Sequence, residues 1–273
     1  METIAARIDR VQERVATAAR RAGRAPAEVR LVGVSKTHPA EVVAAALAAG
    51  LRDFGENRVQ EAEPKIAALA QERASITWHL IGHLQGNKAK RAAGLFDLIH
   101  SVDSLHLAQA LDRAIENRRL KIEDTESHTS SPILDPRSSI LNSHGQLPVL
   151  LQVNVSGEAS KEGFDLAGWD ERPTELDAFF GQVEQILALP RLAVLGLMTI
   201  APWADDPEAA RPTFRSVCRL RDTLAQRFPS ADWAALSMGM TDDFEVAIEE
   251  GATIVRVGRA IFGARISATD TRN

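Results

Sequence analysis

The most distinctive chemical setting in this sequence belongs to Lys36. It follows Leu31-Val32-Gly33-Val34, a mostly apolar, partly β-branched run that reads as a buried strand. Pro39 then blocks further pairing and opens the next segment. Lysine is rarely fully buried unless it is paired. At the carboxyl end of a core strand it either marks where the strand meets water or points its amine into a site, where it can act as a Schiff-base nucleophile. Two glycine-bearing loops far along the chain bear on that choice: Leu236-Ser237-Met238-Gly239-Met240 and Val255-Arg256-Val257-Gly258-Arg259. Glycine lets backbone approach a ligand closely, Ser237 offers a hydroxyl, and Arg256 or Arg259 offers charge. These are the parts of a phosphate site, although Thr241 and Asp242 have a plainer use as helix caps.

Hydrophobic periodicity shows which elements must position these groups. Residues 2–22 carry Ile4, Ile8, Val11 and Val15 at helical spacing, an amphipathic helix ended by Gly23. Eight strand-like runs follow, at 31–34, 51–54, 75–81, 96–99, 149–155, 192–198, 233–237 and 253–257. Helical segments alternate with them: 39–49, 58–72, a short one to about 93, 103–118, 174–188, 208–227 and 242–250. Pro212 fits only in the first turn of its helix. Alternating βα units imply right-handed parallel crossovers, and eight of them predict a closed (β/α)8 TIM-type barrel with an extra N-terminal helix. A doubly wound open sheet is the alternative, but no Gly-x-Gly-x-x-Gly follows the first strand. From 121 to 147 the pattern fails in a Ser-, Thr-, Asp- and Pro-rich stretch, which reads as a flexible surface insertion. The expected organisation is a single barrel domain over residues 1–273.

A barrel gathers its chemistry at the carboxyl ends of its strands. Lys36, Asn57, His83 with Asn87, Ser101, Asn154 with Ser156, Met198, Ser237 with Gly239, and Arg256 with Gly258 all fall there. A lysine on the first strand facing a phosphate site after the last two describes how pyridoxal 5′-phosphate (PLP) is held. The amine forms an imine with the aldehyde, and the phosphate is anchored by backbone donors.

Composition narrows the remaining classes. The 273 residues carry a net charge of −5, which supplies no basic footprint for nucleic acid or an anionic membrane. Cys218 is the single cysteine, so no intramolecular disulfide forms and no cysteine cluster suggests a metal. Charged residues interrupt the N-terminal segment, and no apolar run is long enough to span a membrane, so a soluble, cytoplasmic protein is expected.

Ordered blocks along nearly the whole chain outside 121–147 resemble the PLP homeostasis protein family. They are Val34-Ser35-Lys36-Thr37; Phe54-Gly55-Glu56-Asn57 with Val59-Gln60-Glu61; and Trp78-His79-Leu80-Ile81-Gly82-His83-Leu84-Gln85. Further blocks are Gln152-Val153-Asn154-Val155-Ser156 with Lys161 and Gly163, Gly196-Leu197-Met198, Leu236-Ser237-Met238-Gly239-Met240 with Asp242-Asp243, and Val255-Arg256-Val257-Gly258 with Ile261-Phe262-Gly263. The resemblance implies a barrel like the N-terminal domain of alanine racemases, with PLP on Lys36. It also implies phosphate contacts from Ser237 and the Arg256–Gly258–Arg259 turn, and lining by Asn57 and Met198. Arg259 stands where the family often has a small hydroxyl residue, and His38 where it often has a second lysine.

The resemblance further implies a carrier that holds PLP reversibly and releases it to apoenzymes, without catalytic residues; a monomer or weak dimer is expected. Alanine racemases use a tyrosine from a second domain as their second base, and this sequence contains no tyrosine. General acid–base catalysis is typically worth ~10²–10⁴-fold, so at most trace activity is expected. A low-activity amino acid racemase or lyase is the competing reading, and an interaction module without cofactor a third. His79 reads as a core histidine, His83 as lining the site or capping the next helix, and Lys161 as accessory or solvated. Glu56 and Glu61 read as surface or supporting residues.

Overall fold

The computed structural model describes residues 2–126, 142 and 145–263. Among them, Thr3 caps the first helix, α1 (Ile4–Arg21), its hydroxyl accepting from the Ala6 amide at 3.2 Å. Nine strands then alternate with helices: β1 (Arg30–Val34), α2 (Ala40–Ala48), β2 (Asp53–Glu56), α3 (Val59–Ala68), β3 (Thr77–Leu80), α4 (Ala89–Ala92), β4 (Leu98–Val102), α5 (Leu105–Glu126), β5 (Leu147–Asn154), β6 (Phe164–Asp165), α6 (Pro173–Leu187), β7 (Leu192–Met198), α7 (Arg211–Arg227), β8 (Ala235–Ser237), α8 (Phe244–Glu249), β9 (Ile254–Val257) and α9 (Arg259–Phe262). Parallel pairing runs β4-β3-β2-β1-β9-β8-β7-β5, and β4 pairs again with β5, so eight strands close a barrel. The closure excludes the open-sheet alternative. The two-residue β6 lies outside the ring on β5, and its brevity hides it from any periodicity reading.

The expected elements recur with shifted boundaries. Pro212 falls in the first turn of α7, where its missing N–H costs no helical bond. Strands β2 and β8 start two residues later than their apolar runs, at Asp53 and Ala235, where pairing with the neighbouring strands begins. Helix α5 continues to Glu126, so the first residues of the expected 121–147 insertion are helical and Leu147 opens β5. Most of that expected insertion lies outside the described residues.

Alternation along the strands builds two layers. One face of each strand packs under the helices in a large apolar cluster that includes Phe54, Trp78, Leu151 and Leu236. The other face fills the barrel, where Val32, Leu98, Leu150, Met198 and Ile254 form an inner apolar layer. Gly196 shows how tightly the ring closes: at φ +147°, a Cβ there would sit 1.9 Å from the Ala235 carbonyl oxygen. No helix among the described residues is long and apolar enough to cross a membrane.

Candidate functional site

The turn after β1 sets the position of Lys36. The His38 amide donates to the Ser35 carbonyl at 3.1 Å, which makes Lys36 and Thr37 the centre of a tight turn. Thr37 takes φ 67°, a left-handed conformation that disfavours a β-branched residue. Two outside contacts hold the turn. Lys65 of α3 donates to the same Ser35 carbonyl at 2.8 Å, and the Ser35 hydroxyl donates to Glu56 Oε1 at 2.7 Å. Lys65 also bonds Glu56 directly, in an ion pair that is almost wholly buried between the barrel and α3. Burial pushes the Glu56 carboxyl up, while Lys65 and Ser35 pull it back. Glu56 is thus a fully buried brace for the lysine turn, not a surface residue. Helical and strand periodicity cannot reveal such a pair, because each partner looks exposed on its own element. Glu61, by contrast, pairs with Arg58 at the surface.

The carboxyl ends of β1, β9 and β8 are neighbours. Gly33 pairs with Val257 and Ser237 with Ile254, and a Cβ on Gly258 would lie 3.4 Å from the Val34 carbonyl oxygen. Lys36, half-buried, Gly258, Gly239 and Ser237 therefore share one end of the barrel. Arg256 lies within the strand expected at 253–257, deeper than the glycine turn that follows it. It is the third residue of β9, points into the barrel and is buried. Its guanidinium donates to Ser237 Oγ at 2.6 Å and to the Thr199 carbonyl at 2.8 Å. Burial draws its pKa down to about 10, with Asp243 opposing, so it stays charged at neutral pH. This is a buried cation whose two hydrogen bonds both go to uncharged oxygens, an arrangement that favours an anion nearby.

Ser237 also bonds His100 Nδ1 at 2.8 Å, His100 Nε2 meets His79 Nδ1 at 2.9 Å, and His79 Nε2 meets Asp53 Oδ1 at 2.9 Å. Burial holds the His100 imidazole well below the usual histidine range, and the charges of His79, Arg256 and Arg30 add to this. His79 is the expected core histidine, but it belongs to this polar file through the barrel. Asp53, His100 and Thr199 escaped the sequence reading, which singled out the neighbouring Ser101. The inward phase of β4 falls on His100, and Ser101 Oγ is buried without a hydrogen-bond partner.

The remaining expected residues divide. Asn57 follows β2 against Gly82, whose added Cβ would lie 2.4 Å from the Asn57 carbonyl oxygen. Met198 ends β7 inside the inner apolar layer. Gly239 takes φ +89°, and its carbonyl accepts the Arg256 amide at 3.0 Å. His83 is exposed and engages Asp103 at 3.1 Å with Glu162 at 3.9 Å, so three loops converge there, and it does not cap the short helix that follows it; Ser104 caps α5. Arg259 is exposed and pairs with Asp242. Asn154 spends its amide on the Glu158 and Lys161 carbonyls and its oxygen on Ser156, which pins the loop after β5. Lys161 is not solvated: it bonds the Ile200 and Ala201 carbonyls and Glu158.

Comparison with known proteins agrees with this architecture. The family described as alanine racemase, N-terminal domain, matches residues 7–266. A Pseudomonas aeruginosa protein named pyridoxal phosphate homeostasis protein is 44% identical over 97% of this chain and 97% of its own. The structure of PipY from Synechococcus elongatus with PLP bound is 34% identical, with TM-score 0.72, covering 96% of this chain and 100% of that one. Alanine racemase from Clostridium difficile, at 15% identity and TM-score 0.61, shares the fold over 88% of this chain and 56% of its own.

Proposed function

Because this chain belongs to the pyridoxal phosphate homeostasis protein family, built on the alanine racemase N-terminal domain, we propose that it binds PLP at the carboxyl end of its barrel through Lys36. The observation that carries this reading is the buried Arg256 cation, hydrogen-bonded only to uncharged oxygens, on the strand beside the one that delivers Lys36. The residues fit the group. An amine, a hydroxyl on Ser237, a buried guanidinium and close-packed glycines at 239 and 258 suit an aldehyde at one end and a phosphate ester at the other. When bound, PLP supplies the electrophilic aldehyde that a lysine amine captures reversibly. The chain's own part is positional. The Ser35–Glu56–Lys65 brace aims the lysine turn, Arg256 and Ser237 offer charge and hydrogen bonds to phosphate, and Asn57, His83, Met198, Gly239, Gly258 and Arg259 border the same end.

The role is that of a cytoplasmic, single-domain, non-catalytic carrier that releases PLP to apoenzymes. The name of the Pseudomonas relative supports it, as does the absence of any tyrosine in the sequence to act as a second base. The test is an absorption spectrum with added PLP, then borohydride reduction and peptide mapping, with Lys36→Ala beside it. A reduced adduct confined to Lys36 and lost in the variant is expected. An adduct scattered over other lysines, or none, would refute the binding reading, and sustained amino acid turnover dependent on Lys36 would refute the carrier reading.

A further inference from the structure

The file Asp53–His79–His100–Ser237–Arg256 crosses the barrel interior, and its hydrogen-bond roles are set at both ends. Asp53 Oδ1 accepts, so His79 Nε2 donates. Arg256 only donates, so one lone pair of Ser237 Oγ is taken. Burial beside Arg256 and Arg30 keeps His100 neutral, so of its two nitrogens one donates and the other accepts.

Only two arrangements satisfy every contact. In the first, the Ser237 hydroxyl donates to His100 Nδ1, and His100 Nε2–H donates to His79 Nδ1. Ser237 then has no proton left for a ligand. In the second, His79 donates from Nδ1 to His100 Nε2, and His100 Nδ1–H donates to Ser237 Oγ. Ser237 now accepts twice and its O–H is free to donate outward. His79 carries two N–H groups here, so the second arrangement holds exactly one proton more than the first.

We infer that Asp53, His79 and His100 are positioning residues that couple phosphate-ester binding at Ser237 to the uptake of one proton. This deepens the PLP reading and rests on it. The Ser237 hydroxyl proton passes to His100 Nδ1, and the His100 Nε2 proton passes to His79 Nδ1. Ser237 Oγ takes a replacement proton from solvent water, which is the proton taken up. The added charge ends on His79 against the Asp53 carboxylate. The charged groups around the pair are consistent with that end point. Asp53 on β2 attracts it and Arg30 on β1, 3.8 Å from the same carboxylate oxygen, opposes it, while Arg30 and Arg256 on β9, the latter partly offset by Asp243, keep charge off His100. Thr199 and Ser237 contribute only neutral groups.

The probe is pyridoxine 5′-phosphate, which carries the phosphate ester but no aldehyde and so forms no bond to Lys36. Calorimetric titration at about pH 8 in buffers of different ionisation enthalpy reads the protons taken up on binding. Comparison with Asp53→Asn at each pH cancels the ligand's own ionisation. The wild type is expected to take up close to one proton more than the variant, with affinity weakening up to about tenfold per pH unit above neutrality relative to it. An asparagine can donate to His79 Nε2, so the variant reaches the second arrangement without a proton, and its binding should follow only the ligand's own ionisation. Should Asp53→Asn fail to fold, ¹⁵N spectra of histidine-labelled wild type are expected to show His79 become doubly protonated when the probe binds. Binding with no extra proton uptake and no change at His79 overturns this inference and leaves the PLP reading standing. No binding of the probe at any pH also overturns this inference, whereas the PLP reading falls only if PLP forms no adduct at Lys36.

Discussion

Replacing Lys65 with methionine tests whether the brace behind Lys36 is as consequential as its geometry implies. The Glu56 side chain is 0% exposed and Lys65 7%, so neither water nor salt compensates when one partner is removed. Breaking a buried ion pair from one side typically costs about 3–5 kcal/mol, because the surviving charge is left unpaired. For a chain of this length that corresponds to roughly 6–10 °C in melting temperature. Replacing both partners, as Glu56→Met with Lys65→Met, removes the stranded charge and should recover most of the loss, since apolar substitutes for buried pairs are often nearly neutral. The deficit of the single variant should also shrink on acidification. Burial already raises the Glu56 carboxyl, and without Lys65 it rises further, so protonation relieves the penalty as pH falls. Urea and thermal unfolding followed by circular dichroism at about pH 7.5 and 5.5 measure all three quantities. A single variant within about 1 kcal/mol of wild type, or a double variant as unstable as the single, would refute the reasoning. The same variant should slow adduct formation at Lys36, because it also frees the Ser35 carbonyl.

Other perturbations address other parts of the site. Arg256→Lys keeps the charge but loses the fork that reaches Ser237 and Thr199 together, and should weaken pyridoxine 5′-phosphate binding about 10–100-fold by titration. Gly82→Ala drives a Cβ against the Asn57 backbone and should cost roughly 1–3 kcal/mol in denaturant unfolding while weakening PLP binding. Stability should fall as pH drops below about 6.5, because His38 and His100, both lowered chiefly by burial, bind protons more readily in the unfolded chain than in the folded one. Thermal melts from pH 7.5 down to 5 read this, and a flat profile in an Asp-preserving His38→Asn, His100→Asn variant would locate it.

Some of this protein was written in local sequence, and some was not. Periodicity alone reveals eight βα units, which a closed barrel or a doubly wound open sheet could each bury, and the β4–β5 pairing decides for closure. The carboxyl-end rule then places Lys36, Asn57 and Ser237 at one end without coordinates, because strand direction is common to all units. What periodicity could not supply is the phase of each strand and the depth of each side chain. Arg256 lay in an expected strand, but that its side chain points inward, two residues before the turn at Gly258, follows only from the closed barrel. His100, not Ser101, faces the barrel, and Asp53 meets His79 only because β2 and β3 pair with Asp53 opposite Thr77. Glu56 and Lys65 each resemble surface residues until α3 folds down over β2 and excludes water from both. Residue types and strand order therefore determined what chemistry is present and at which end of the barrel it lies. Register and helix packing decided which of those groups touch, because hydrogen bonds and ion pairs form over a few ångströms that only the closed barrel specifies.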